Sequence, residues 1–477
     1  MRRRQTIWTA CSQWLPGWVG FWLVLGVALS ATASDRFRPD QPVRVITGSA
    51  ALPWERVEVL EDPHPDWGDE VIPPGGGHFD AAINEWFGTT TPRSRQVLLH
   101  CARGYAGKTL PHPVLLVHGA NDNANRAWQN PWMCADPLNL SPDKRGFAFW
   151  LAELGYPVFA VTFAHRHGCN IRQAEQIANA IARIRVLLSR QDDPEFKVDL
   201  IVHSKGGVAA RLYCSDAPRL FPDRKFLTPF RGDVRTLVLI GVPLLGIDAP
   251  FRYYGYNLLR VTVPDLAAAG PTAVDGMLIN GVWRDYRHWS YVGQGNALWP
   301  GQAQCLYNLV RDGGLPLAAD SATAADGNLT MQALYHGGRT LYVASSGIDK
   351  AIARGERLMY RLEEHGLDPK VEAMIVAGTN PLHDEEACPL SLRLLMWWTG
   401  LYQAMVSPPS DGVIFLRSAT ATAGLCRRGA RLLDCLALPL HHLDLGRQRE
   451  VLQAIDGCLL RRGKGVAWHE TFAKCEE

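Results

Sequence analysis

The stretch VDLIVHSKGGVAAR, residues 198–211, joins an apolar segment to a helix-like segment at one serine. Its first part predicts a buried strand, and the part after Ser204 predicts a helix. A serine on such a sharp turn has its hydroxyl pushed out at the sheet edge, and small residues two positions away on either side prevent clashes. Gly206 provides one small position, but Val202 occupies the other. The stretch alone therefore predicts either a nucleophile or a serine that caps the following helix.

The sequence around this stretch alternates between strand and helix signals. A helix is predicted at residues 147–154, and another where Ile177, Ile181, Ile184 and Leu188 recur with helical spacing. Because the intervening strand segments are apolar throughout, the pattern indicates a mostly parallel sheet with helices on both faces. The predicted strands are residues 113–117, 157–161, 198–202, 234–243, 340–344 and 371–376.

Three regions of the chain differ in pattern. Residues 34–108 have weak signals and many prolines and glycines, so they are assigned as an N-terminal extension. Residues 109–477 form the predicted α/β domain. Within it the alternation stops at about 245–335, a region rich in Gly, Trp and Tyr. We interpret that region as an insertion over the carboxyl edge of the sheet, either ordinary packed loop and helix or a cap or lid over an apolar site.

The first 33 residues have the layout of a secretory signal peptide. Three arginines follow Met1, residues 18–30 are apolar, and Ala31-Thr32-Ala33 fits a cleavage site. The apolar run is shorter than the ~18 residues expected of a membrane span, so export is favoured over an uncleaved anchor. We therefore expect a secreted or periplasmic protein that begins at Ser34.

Cysteine usage agrees with export. The chain has eleven cysteines, and only Cys11 lies in the predicted signal peptide. The even number that remains suggests disulfides in an oxidising compartment, and the short-loop pairs Cys426–Cys435 and Cys458–Cys475 are candidates. No CxxC pair occurs in the sequence, which disfavours a cysteine metal site.

Charge provides no argument for a nucleic-acid partner. The chain carries 49 basic and 47 acidic residues, for a formal net charge of +2, without a long basic run.

Several short motifs occur together in one order. They are His118-Gly119, Ser204, PLLG at 243–246, SDGV at 410–413 and HHLD at 441–444. In this order they resemble the lipase branch of the α/β hydrolases, nearest to the secreted bacterial triacylglycerol lipases, over roughly residues 110–460. The resemblance implies the α/β-hydrolase fold and an exported serine ester hydrolase, a lipase or carboxylesterase.

The resemblance also implies a role for each motif. Ser204 would be the nucleophile, His442 the base that takes its proton, and Asp411 the acid that orients the base. The backbone N–H groups of Ala120 and Lys205 would form the oxyanion hole.

Alternatives stay open at several positions. His441 could replace His442 as the base, and Asp384 lies nearer the end of the predicted strand at 371–376 than Asp411 does. His383 and His469 are further histidines without a matching loop. His203 is expected to pack against the sheet, and His118 to make structural hydrogen bonds in the oxyanion loop.

No cofactor is expected, although Asp444 and Gln448 match positions that bind calcium in the resembled lipases. Two candidate ligands fall short of the six to eight oxygens that calcium takes, so a solvated pair at a helix start is favoured. The expected substrate is a lipid or other ester, with possible transient contact with a lipid–water interface. A polyester depolymerase, an acyltransferase and a non-catalytic binding protein on a hydrolase fold are the alternatives.

Overall fold

The computed structural model describes residues 37–47, 54–72, 77–134, 136, 139–262, 272–287, 299–317, 327–381 and 409–461. The strands among them are β1 (Arg44–Thr47), β2 (Arg56–Glu61), β3 (Gln96–Cys101), β4 (Val114–Val117), β5 (Val158–Phe163), β6 (Val198–His203), β7 (Val234–Ile240), β8 (Gly276–Ile279), β9 (Val282–Asp285), β10 (Gly338–Arg339), β11 (Val343–Ser345), β12 (Glu372–Gly378) and β13 (Arg431–Leu438).

The helices that connect these strands vary from one turn to five. They are α1 (Ala81–Phe87), α2 (Phe147–Glu153), α3 (Asn170–Leu187), α4 (Lys205–Cys214), α5 (Ala217–Leu220), α6 (Ala249–Arg252), α7 (Tyr254–Thr262), α8 (Pro300–Gln304), α9 (Gly327–His336), α10 (Ile348–Arg354), α11 (Leu358–His365), α12 (Leu416–Ala419) and α13 (Arg449–Leu459). No helix in these ranges is long and apolar enough to cross a membrane.

A nine-stranded sheet organises the protein, in the order β1-β2-β3-β5-β4-β6-β7-β12-β13. Strands β1, β2, β3 and β5 pair antiparallel, and β5, β4, β6, β7, β12 and β13 pair parallel. The predicted strands at 113–117, 157–161, 198–202, 234–243 and 371–376 all lie in the parallel part. The carboxyl ends of these parallel strands therefore meet at one edge of the sheet, where ligands bind in open α/β sheets.

Both faces of the sheet are covered, as the apolar strands predicted. Successive strand residues alternate between two core clusters: Leu200 and Val202 belong to one, and Ile201 to the other. Helices α3 and α4 contribute to the first cluster, and α2 and α13 to the second.

The sheet extends across the expected boundary at residue 108. Strands β1 to β3 come from the segment assigned as an N-terminal extension and continue the sheet beyond β5. The sequence of β2 lacks the apolar pattern of a buried strand, because one of its fully buried positions is the charged Glu58. Its carboxylate accepts from Nε and Nη2 of Arg183 in α3 at 2.6 and 2.8 Å.

The region after β7 contains a second, smaller sheet. Its four strands pair antiparallel in the order β10-β11-β8-β9. The predicted strand at 340–344 thus overlaps β11 of this small sheet and does not join the main one. The region that departs from the main alternation consequently continues past residue 335, and α8 within it packs on the loop before α3, where Gly301 N–H donates to His167 C=O at 3.0 Å.

The described cysteines are all free thiols. The expected Cys426–Cys435 bridge is not formed: Cys435 lies within β13 and Cys426 in the loop before it, and both are free thiols. Cys475 and the predicted signal peptide lie outside the described residues.

Candidate active site

Ser204 lies on a strained turn between β6 and α4. Its backbone has φ 52° and ψ −131°, a conformation that residues other than glycine rarely adopt. Its side chain makes no capping hydrogen bond to α4; instead, its Oγ lies 3.0 Å from Nε2 of His442. The geometry is that of a half-buried serine on a strand-to-helix turn beside a base, and not that of a helix cap.

Close packing explains the glycine after the turn. A Cβ at Gly206 would lie 2.3 Å from the carbonyl oxygen of His118 and 3.0 Å from Val117 Cγ1. Val202, at the other small position, is fully buried in the core. The sharp turn therefore forms with a valine there, whereas Gly206 has no room for a side chain.

His442 lies between Ser204 and Asp411. Its Nδ1 is 2.7 Å from Asp411 Oδ2, and its backbone N–H donates to the Asp411 carbonyl at 2.9 Å. Since a carboxylate accepts, Nδ1 carries the proton and donates it to Asp411. Nε2 is then free to accept from the Ser204 hydroxyl, as general-base activation of serine requires.

The Asp411 carboxylate is buried and well supplied with donors. Besides His442, the backbone N–H groups of Val413 and Ile414 donate to Oδ1 at 2.9 and 2.7 Å. Burial alone would raise the pKa of Asp411, but the charge of His442 and these hydrogen bonds outweigh it and lower the pKa below its usual value. Asp411 is therefore ionised near neutral pH.

Asp411 lies at the end of β12 although a long segment separates the two in sequence. A Cβ on Gly378, the last residue of β12, would lie 2.7 Å from Asp411 Cβ. The chain thus returns to the strand end before it supplies the acid. The competing residues Asp384 and His383 lie between β12 and Asp411, outside the described residues. His469, near the end of the sequence, also lies outside them.

Two other histidines contact this site in different ways. His441 packs against Gly412 and accepts from Leu443 N–H at 3.3 Å, so the structure brings His442 to the serine and not its neighbour. His203 does more than pack on the sheet: its Nε2 lies 3.0 Å from the backbone carbonyl oxygen of His442, to which it donates. Burial and the nearby His442 lower the pKa of His203 to about 3, so its ring is neutral. Its place directly before the serine is the sequence signal that could have suggested this contact.

The loop after β4 approaches the serine from the other side. A Cβ on Gly119 would lie 2.9 Å from Ser204 Cβ. His118 accepts from Phe163 N–H at Nε2 (3.2 Å), so its Nδ1 carries the proton and donates to the Gly119 carbonyl at 2.7 Å. Burial lowers the pKa of His118 to about 3, which keeps this arrangement neutral. The hydrogen bond fixes the peptide whose N–H belongs to Ala120.

Backbone donors are available beside the serine. The N–H groups of Ala120 and Lys205 donate to no backbone acceptor within the described part of the chain. The Lys205 side chain is occupied separately: its Nζ donates to Gln173 Oε1, and burial lowers its pKa to about 8. The Lys205 side chain therefore does not occupy the backbone N–H of the same residue.

The residues proposed for calcium do not fit that ion. Oδ1 of Asp444 accepts from the guanidinium of Arg447 at 2.8 Å, so a cationic side chain already occupies the carboxylate. Gln448 lies at the start of α13 and makes no side-chain capping bond. Within the described ranges, no group of three His, Cys, Asp or Glu side chains is arranged to hold a metal.

Comparison with known proteins gives structural similarities alone. No family model and no curated protein matches the chain. Among solved structures it is similar to a mature lipase of Bacillus licheniformis (14% identity, 73% of this chain and 92% of that chain, TM-score 0.35). It is also similar to a membrane phospholipase A described as a bacterial virulence factor, with 16% identity over 77% of this chain and 84% of that chain and a TM-score of 0.33. A third similar structure is a thermostable carboxyl esterase of Bacillus coagulans, with 11% identity over 78% of this chain and 94% of that chain and a TM-score of 0.32.

The fold assignment follows from the chain's own topology. The parallel strands, the antiparallel strands at one edge, and a serine on the turn after the central strand β6 agree with the architecture expected from the sequence motifs. The chain has the α/β-hydrolase fold.

Proposed function

We propose that the protein is an exported serine ester hydrolase, a lipase or carboxylesterase, with Ser204, His442 and Asp411 as its catalytic triad. The observation that carries this proposal is the chain of contacts from Asp411 through His442 to Ser204, at 2.7 and 3.0 Å. Each contact has the donor and acceptor that nucleophilic catalysis by serine needs.

The reaction would proceed in two halves. His442 takes the proton from Ser204 as Oγ attacks the ester carbonyl carbon, and Asp411 stabilises the resulting imidazolium. The N–H groups of Ala120 and Lys205 stabilise the developing oxyanion, and His442 then protonates the leaving alcohol. Water, activated by the same histidine, attacks the acyl-enzyme, releases the carboxylic acid and restores Ser204.

Exposed apolar side chains beside the site support an ester with apolar parts. Val413 and Leu443 are 48% and 52% exposed, and they lie on the two loops that carry Asp411 and His442. Such side chains suit an acyl chain or transient contact with a lipid–water interface. Transfer of the acyl group to an alcohol, or cleavage of a polyester, would use the same first half-reaction.

Labelling with a fluorophosphonate probe tests the nucleophile directly. Wild type should be labelled and should hydrolyse p-nitrophenyl esters, and Ser204→Ala should lose both properties while remaining folded. A folded wild-type protein that is neither labelled nor active on esters of short or long chains would favour a non-catalytic binding protein. Export is tested separately by the N-terminal sequence of protein recovered outside the cytoplasm, which should begin at Ser34.

A further inference from the structure

Three successive backbone carbonyls in the loop after β5 each accept a hydrogen bond from a different part of the protein; they belong to His165, Arg166 and His167. The first accepts from Nε2 of Gln173, in α3, at 3.2 Å. The second accepts from the N–H of Asn121, in the loop after β4, at 3.2 Å. The third accepts from the N–H of Gly301, in α8, at 3.0 Å. The loop after β5 therefore joins three elements at the carboxyl edge of the sheet.

Gln173 extends this connection to the residue that follows the serine. Its Oε1 accepts from Nζ of Lys205, while its Nε2 donates to the loop after β5. Both side chains are buried: Gln173 is 3% exposed and Lys205 is 4% exposed. A buried polar chain thus runs from the Lys205 side chain through the Gln173 amide to the His165 carbonyl.

Helix α8 packs directly against the end of the Lys205 side chain. A Cβ on Gly301 would lie 2.3 Å from Lys205 Cε and 2.6 Å from its Nζ. The same Cβ would lie 1.9 Å from the carbonyl oxygen of Gly168, so the α8 backbone is also in close contact with the end of the loop after β5. Lys205 is therefore anchored at two places, by its backbone at the start of α4 and by its ammonium group between Gln173 and α8.

Each candidate oxyanion donor borders a residue whose backbone has a positive φ. Ser204, which precedes the N–H of Lys205, has φ 52°, and Asn121, which follows Ala120, has φ 58°. Such conformations cost free energy in residues other than glycine and persist only where the surrounding contacts enforce them. The loop after β5 holds Asn121 directly and Lys205 through Gln173, so it restrains the backbone next to both donors.

We propose that Gln173 is a positioning residue of the oxyanion hole, which keeps the backbone N–H of Lys205 aligned with that of Ala120 by joining both to the loop after β5. The inference rests on the proposed ester hydrolase function and adds to it a buried side chain that acts through Lys205. Loss of the Gln173 amide lets the Lys205 peptide shift. A shifted donor stabilises the oxyanion of the transition state less, and binding of the uncharged ester changes little.

The test compares Gln173→Met with a matched control in the same helix, Gln176→Met. Methionine keeps an unbranched side chain of similar length and removes the amide in both variants. Gln176 is 2% exposed, and its Nε2 donates to the carbonyls of Ser94 and Gln96, at 3.0 and 2.9 Å, near the start of β3. Both substitutions therefore remove a buried amide from α3, but Gln176 is bonded to the segment around the start of β3 and not to Lys205.

Three quantities are measured on each folded variant: kcat and KM for p-nitrophenyl butyrate, and Ki for a trifluoromethyl alkyl ketone. Ser204 Oγ adds to the carbonyl carbon of the ketone as His442 takes the hydroxyl proton, and the carbonyl oxygen becomes an oxyanion. Because this adduct resembles the tetrahedral intermediate, Ki reports on the oxyanion hole, whereas KM reports mainly on ester binding.

We expect Gln173→Met to lower kcat about 10–50-fold, to raise Ki by a similar factor and to change KM less than about twofold. Gln176→Met should keep the kcat and Ki of the wild type even where it lowers the unfolding temperature. Equal losses of kcat in the two variants would overturn the proposal, because a general loss of stability would then explain both. A loss in Gln173→Met that is confined to KM would also overturn it.

Lys205→Met tests the same chain from its other end, since it removes the ammonium group and keeps the backbone N–H. It should reproduce the fall in kcat, and the double variant should lose no more than the larger single loss, because both substitutions break one connection. An unchanged kcat in folded Lys205→Met would overturn the proposal even where Gln173→Met does not fold. A wild type that neither cleaves the ester nor binds the ketone would remove the proposed function itself, whereas an active wild type with unaffected variants would overturn this inference alone.

Discussion

His203 donates its Nε2–H to the backbone carbonyl of His442 at 3.0 Å, and the centroids of the two imidazole rings lie 4.7 Å apart. The residue directly before the serine therefore holds the loop that carries the candidate base. The contact joins the end of β6 to that loop, so the positions of Ser204 and His442 depend on one another.

Removing this contact should lower the rate of the chemical step more than substrate binding. In His203→Ala the His442 loop loses its donor, and we expect kcat to fall about 10–100-fold with KM changed little, because misplacement of a catalytic group by ~1 Å costs about that much. His203→Gln, which offers an amide N–H near the position of Nε2, should recover part of kcat. A large rise in KM with unchanged kcat would contradict this positioning role.

Asp411 should be needed for the correct protonation state of His442. Asp411→Asn keeps the shape but replaces the acceptor, so the imidazole no longer holds its proton at Nδ1, and we expect kcat to fall roughly 10³–10⁴-fold. Asp444→Asn is the matched control, because it removes a carboxylate two residues after His442 that pairs with Arg447. Steady-state kinetics of both variants, with and without added calcium, measure the role of Asp411 and test whether Asp444 takes part in a calcium effect. Comparable losses in the two variants would reject the assignment of Asp411.

The residues of the candidate site were more predictable from the sequence than the number of strands in the main sheet. Ser204, Asp411 and His442 each lie in a short loop motif, and the structure brings the three within hydrogen-bond distance, although their catalytic role stays a prediction. Asp411 lies at the end of β12 because the chain comes back to this strand end after a long intervening segment, and no local sequence pattern predicts that. Strand β2 was missed because a buried Glu58–Arg183 pair, set by tertiary contacts, breaks its apolar pattern.

Buried neutral histidines should make stability depend on pH. The pKa of each of His78, His118 and His203 is about 3 in the folded protein, below the usual 6.5. Between these values the unfolded chain binds the protons, so the free energy of unfolding falls as pH decreases below 6.5, by up to about 1.4 kcal/mol per pH unit for each histidine. Urea unfolding at pH 7, 6 and 5 measures this slope, which His78→Gln should reduce. A stability that is constant from pH 7 to 5 would contradict the buried neutral state.

Gly206 should be sensitive to substitution because α4 packs closely on the loop after β4 at this position. An alanine there would place its Cβ 2.3 Å from the carbonyl oxygen of His118, the residue whose ring holds the Gly119 carbonyl. We expect Gly206→Ala to displace the oxyanion loop and to lower both kcat and the free energy of unfolding, the latter by more than about 1 kcal/mol.

Gly457 offers the matched control for this substitution. It lies within α13, and a Cβ there would meet nothing within 4 Å. Gly457→Ala should therefore stabilise the protein by about 0.5–1 kcal/mol through helix propensity and leave kcat unchanged. Thermal unfolding and ester kinetics of the two variants separate a steric effect at the turn from a general effect of adding a methyl group. If Gly206→Ala kept full activity and stability, the close approach of α4 to the His118 carbonyl would not be what requires glycine at this position.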